Sequence, residues 1–65
     1  MLVKIRSVID KMIVANDKDI ETEYKKLEDN EKKFIKAYLL EQSNNTPSAY
    51  YEVATWLLPK IETIE

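Results

Sequence analysis

Six residues of the middle segment, Ile20, Tyr24, Leu27, Glu31, Phe34 and Tyr38, follow one another in steps of four, three, four, three and four. Such spacing keeps side chains on one face of an α-helix and suits a face packed along a second helix. Glu31 is its only charged member. The 65-residue chain has no histidine, cysteine or glycine, so the pattern describes a small helical protein that works by contact.

A chain of this length forms one domain with a thin core, because it buries only about 60% of the surface its unfolded form exposes. The usual reinforcements are disulfides, a structural metal or oligomerisation. Without Cys there is no disulfide, and without Cys and His a zinc site is not expected; self-association remains. The segment from Met1 to Ala15 carries Lys4 and Arg6 ahead of apolar residues, but Asp10 and Lys11 interrupt it, unlike a signal peptide. No run approaches the roughly 20 apolar residues of a membrane span. The expectation is a cytoplasmic protein with no cofactor.

The net charge of −2 is unevenly distributed. Residues 17–33 hold seven acids and five lysines, whereas residues 42–59 contain one charged side chain, Glu52. Soluble surfaces usually carry about 25 to 35% charged residues, and this stretch instead presents Tyr50, Tyr51 and Trp56. Part of it is expected to be covered by another surface.

Three helices are expected, at about residues 2–15, 18–43 and 47–63. In the first, Leu2, Ile5, Ile9 and Met12 recur at helical spacing, with Val8 and Ile13 widening the face. Its β-branched residues leave open a short strand from Val3 and Ile5, which could pair only across a dimer. Asn16 and Asp17 provide a connection and a candidate cap. The middle helix reads as one rod, with the pairs Glu21/Lys25, Glu28/Lys32 and Asp29/Lys33 placing the acid four residues before the base; the alternative is a break at Asp29 and Asn30. At 1.5 Å per residue the rod would span roughly 39 Å, outreaching its neighbours and inviting a second copy. Ser43, Asn44 and Asn45 form a loop, and Thr46-Pro47 reads as a hydroxyl cap with proline at the first helical position. The last helix repeats the pattern with Tyr50, Ala54, Leu57, Ile61 and Ile64, and should kink or stop near Pro59. The fold class is therefore all-α, a small three-helix bundle with a long middle helix, completed by homodimerisation.

Trp56 lies about 120° from the centre of the last helix's apolar stripe, beside Glu52, with Tyr51 and Leu58 on the opposite flank. It could cap the core edge with a wet indole nitrogen, be buried against a second copy, or anchor another protein. Tyr51, Glu52, Thr55, Trp56 and Leu58 are accordingly the candidate protein-interface residues. Glu31 offers a similar choice. A solvated position where the rod outruns its partners is the simpler reading; a core position would need Lys4, Arg6 or Tyr38 opposite.

Catalysis is not expected, since His and Cys are missing and Ser7, Ser43 and Ser48 have no evident base. The acids of 17–23 and 28–31 are interleaved with lysines and lack the glycine of a calcium loop, so they read as a solvated face. The competing class is nucleic-acid binding, with residues 30–58 drawn as helix, short turn and helix, and Lys25, Lys32, Lys33 and Lys36 as phosphate contacts. The run Glu31-Lys32-Lys33-Phe34-Ile35-Lys36-Ala37-Tyr38-Leu39, followed by Ala49-Tyr50, resembles the helix-turn-helix opening of phage terminase small subunits. That resemblance implies DNA binding, although those proteins typically carry an arginine and a glycine near the motif's end, where this chain has neither. A membrane-surface role for the first segment is disfavoured by Asp10 and by the lack of an aromatic anchor there. The favoured expectation is a non-enzymatic regulatory or protein-binding module, of the kind encoded by phages, plasmids or Gram-positive bacteria.

Overall fold

The computed structural model describes residues 2–64, and among them the regular secondary structure is all α-helix. Four helices replace the expected three: α1 (Leu2–Ile13), α2 (Asp17–Lys25), α3 (Asp29–Ser43) and α4 (Tyr51–Ile64). α3 and α4 form the most extensive pair, α4 also packs on α2, and α1 lies against α2 and α3. The strand considered at Val3 and Ile5 is not formed, because α1 is helical from Leu2.

The core is built from the apolar faces of all four helices: Ile5, Ile9 and Met12 of α1, Ile20 and Tyr24 of α2 with Leu27 just beyond it, Ile35 and Leu39 of α3, and Ala54, Leu57 and Ile61 of α4. The stripes expected on the first and last helices are borne out at these positions. Leu2 and Ile13, at the edges of the α1 face, are exposed.

The long middle rod is not formed. α2 ends at Lys25, the Lys26 N–H turns back to the carbonyl of Thr22, and Leu27 N–H bonds to the carbonyl of Tyr24. Glu28 then adopts an extended ψ of 163° and caps α3. The break thus precedes Asp29, which is the first residue of α3. Its physical reason is burial. A straight rod of about 39 Å would exceed the molecule's longest dimension of 29 Å, leaving part of its face bare in a single chain. Bending lets α3 rotate so that its buried line becomes Glu31, Ile35 and Leu39, while Phe34 and Tyr38 move to the half-buried flank. Each of the newly buried side chains is worth about 1.5–3 kcal/mol, more than the tenths of a kcal/mol per residue that helix propensity offers at the bend. With the rod gone, the inference of a second copy from its length goes too.

The last helix starts at Tyr51, four residues after Pro47. Thr46 and Pro47 lie in a seven-residue connection in which Ser48 N–H bonds to the Asn45 carbonyl and the Ser48 hydroxyl accepts from Tyr50 N–H. That hydroxyl also bonds to the Gln42 side chain. The capping role expected of Thr46 therefore falls closer to Ser48, whose short side chain is suited to bonding the backbone two residues on. α4 then runs through Pro59 to Ile64, so of the expected kink or stop the stop does not occur. Proline removes the bond to the carbonyl of Thr55, and both residues are exposed, which leaves that carbonyl open to water.

Candidate interaction site

The five interface candidates occupy α4 at its first two turns. Tyr51 and Leu58 are half-buried, on the flank of the Ala54, Leu57 and Ile61 line, and Leu58 packs against the core. Glu52, Thr55 and Trp56 point outward, Trp56 with 37% of its surface exposed and the Thr55 hydroxyl donating to the Glu52 carbonyl at 2.6 Å. Helical geometry puts Trp56, Glu52, Pro59 and Thr63 on one outward face. Among the described residues Glu52 is the charge on this line, Lys60 pairs aside with Asp17 of α2 at 2.8 Å, and the exposed Glu62 falls between Thr55 and the Tyr51 and Leu58 flank.

Behind that face the molecule is held by polar contacts on α1. Phe34 and Tyr38 of α3 stack with ring centroids 6.4 Å apart, and Tyr50 meets Tyr38 edge-on at 6.1 Å. α1 closes on this aromatic ladder from outside: Arg6 Nε donates to the Tyr38 hydroxyl at 3.3 Å, and the Tyr50 hydroxyl donates to Asp10 at 3.1 Å. Burial and the Asp10 carboxylate together raise the Tyr50 phenol above its ordinary value. These contacts fix where α4 begins, hence where Trp56 stands. The sequence offered Arg6 and Tyr38 only as possible partners of Glu31, and both the Arg6–Tyr38 and the Tyr50–Asp10 bonds join residues with no local relationship.

Glu31 is buried, with 7% exposure, which overturns the solvated reading. One carboxylate oxygen accepts the Glu28 N–H at 2.9 Å and the other pairs with Lys4 at 2.7 Å. The Lys4 ammonium and the Glu28 amide together hold the carboxyl below its ordinary range. Of the three partners expected for Glu31, Lys4 is the one that meets it; Arg6 goes to Tyr38.

The lysines considered for phosphate are differently engaged. Lys25 pairs with Glu21 at 2.8 Å, and Lys32 lies over the Tyr24 ring, 5.6 Å from its centroid. Lys32, Lys33 and Lys36 share a shallow depression with Asp29 on α3, and Lys25 is not part of it. The connection between α3 and α4 has seven residues, longer than the three or four of a helix-turn-helix, and Ser48 sits in that connection instead of on the second helix.

Among the described residues no group of His, Cys, Asp or Glu is gathered to hold a metal ion, and no helix is long and apolar enough to cross a membrane. Comparison with family models, curated proteins and solved structures finds no match. Fold and surface therefore define a class only: a small all-α protein of four helices, tied across α1 by polar contacts, with an aromatic residue on the outward face of its last helix.

Proposed function

We propose that this chain is a non-enzymatic protein-binding module that regulates a partner by contact through the outward face of α4, with Trp56 as anchor, Glu52 and Thr55 beside it, and Tyr51 and Leu58 at the flank. The observation that carries this reading is Trp56 itself: a large aromatic with 37% of its surface exposed on an outward face that carries few charges. Tryptophan concentrates binding energy when a partner removes it from water, because it adds much apolar area at low cost in side-chain freedom. A surface with few charges also lowers the desolvation cost of being covered. A second reading, nucleic-acid binding, is favoured by the gathering of Lys32, Lys33 and Lys36 around one depression. Against it stand the acids Asp29 and Glu31 in the first turn of the same helix.

The two readings separate in one experiment. Wild type, Trp56→Ala and the double variant Lys33→Ala/Lys36→Ala are immobilised at equal density and presented with extract of the native host, with nuclease-treated extract alongside. A specific protein held by wild type and the lysine variant but weakened by about 2 kcal/mol or more in Trp56→Ala supports the α4 face. Retention that follows the lysines, disappears with nuclease and falls with salt would transfer the function to nucleic acid.

A further inference from the structure

The corner between α2 and α3 has one local device, a capping box in which the Glu28 side chain accepts from the Glu31 N–H and the Glu31 side chain accepts from the Glu28 N–H. Its three residues, Lys26, Leu27 and Glu28, include no glycine or proline, and all three are strong helix formers. Lys26 still has right-handed helical dihedrals, φ −73° and ψ −17°, and no described residue has a positive φ. Glu28, with φ −72° and ψ 163°, has a helical φ and differs from helix in ψ. The stripe of the middle segment continues in phase across this point, from Tyr24 through Leu27 and Glu31 to Phe34. The bend is held by that capping box and by two contacts between the halves, the Lys4–Glu31 pair and Lys32 over the Tyr24 ring.

We infer that residues 26–28 are a hinge, and that the chain has a second state in which α2 and α3 fuse into a rod of residues 17–43 and two copies exchange halves. The partner is a second copy of this chain. In that state residues 2–25 of one copy pack on residues 29–64 of the other. The contacts that now join the two halves away from the corner, Arg6 to Tyr38, Asp10 to Tyr50 and Asp17 to Lys60, are remade between copies. The core composition is unchanged, which is why exchange is a low-cost route to a dimer, and a short hinge without a breaker favours it. The rod, about 40 Å long, fits a two-copy assembly and not the 29 Å monomer. This inference does not depend on which molecule occupies the α4 face.

The test exploits a proline that the two states accept differently. Asp29 is the first residue of α3, where proline is tolerated and holds the preceding Glu28 extended; in the rod the same proline would sit mid-helix and break it. Glu31→Leu does the converse, removing the cap and filling the one charged place on the stripe. Wild type, Asp29→Pro, Glu31→Leu and the double variant are refolded from denaturant at millimolar concentration and their masses measured by sedimentation equilibrium over a dilution series. Expected are a species near twice 7.7 kDa in wild type, its loss in Asp29→Pro, and a shift of about tenfold or more towards dimer in Glu31→Leu, since each of the dimer's two hinges is freed of a cap. The double variant should be monomeric. Wild type and Glu31→Leu that remain monomeric, whether folded or not, or a dimer that survives Asp29→Pro in either background, would overturn the exchange.

Discussion

Glu31 does two things with one carboxylate, capping the amide of Glu28 and meeting the ammonium of Lys4, and both depend on its being charged. Its carboxyl titrates below the ordinary value of about 4.3, so the stability it contributes is complete above that pH and is lost as pH falls through the lower, folded-state value. The pair's other half has the opposite sign. Lys4 is raised by Glu31, so its contribution is complete below about pH 10.4 and is lost as pH rises through the higher folded value. Urea denaturation of Glu31→Gln beside wild type checks the acid side: the variant should be the less stable near pH 7, and the gap should shrink on going from about pH 4.3 towards pH 2. A gap independent of pH would mean that shape, and not charge, is what Glu31 supplies. Tyr50 adds a further alkaline component, since its phenol is raised and its neutral, donating form is the one bound to Asp10.

Among the elements, α4 holds the sharpest conflict between local preference and fold. Its buried line of Ala54, Leu57 and Ile61 continues in phase past a proline, which leaves the Thr55 carbonyl without its helical partner. Because Pro59 lies on the exposed side, Pro59→Ala restores that bond without disturbing the core. An interior proline costs about 3 kcal/mol relative to alanine, and the freer unfolded chain of the variant returns about 0.4–1 kcal/mol of it. The expected net gain of about 2–2.6 kcal/mol would raise Tm by roughly 8–21 °C in a domain of this size, read by circular dichroism. Pro59 borders Trp56 on the outward face, so the same variant should be assayed for partner binding: a gain in stability with a loss in binding would place proline in the contact surface. At the other end of the chain's elements, the helix propensity of Lys26, Leu27 and Glu28 is overridden by the burial of Ile35 and Leu39, and that override is what makes the corner reversible.

As a whole the molecule depends, among the described residues, on a core of eleven apolar side chains, ten from four short helices and Leu27 from the corner, and none of those helices would persist alone. Leu57, fully buried, and Leu40, more than half exposed, therefore make an informative pair. Leu57→Ala should cost about 2–5 kcal/mol, a large part of the roughly 3–10 kcal/mol that a chain of this size has in total. Leu40→Ala should stay within about 0.5 kcal/mol in dilute protein. A Leu40→Ala cost that grows with protein concentration would instead show that a second copy covers α3.

How much of this was legible beforehand follows from the range of each interaction. Helical class, the buried faces of α1 and α4, the polar outer surface of α2 and the outward direction of Trp56 are consequences of 3.6-residue periodicity, and periodicity is present in any local stretch of sequence. The break at Lys26–Glu28, the exchange of Phe34 and Tyr38 for Ile35 and Leu39 in the core, the delayed start of α4 and the pairing of Glu31 with Lys4 were not. Residues distant in sequence take part in them: α1 meeting the start of α3, Asp10 receiving Tyr50, Asp17 receiving Lys60. The break also carries a local signal, the Glu28 and Glu31 capping box, which the unbroken apolar stripe outweighs in the sequence. Local preferences at these positions differ by tenths of a kcal/mol per residue, whereas a buried apolar side chain contributes about ten times more, so the tertiary packing decides them. The sequence by itself determined which faces would be apolar; only the packing of α1 against the rest decided where the chain would turn to bring those faces together.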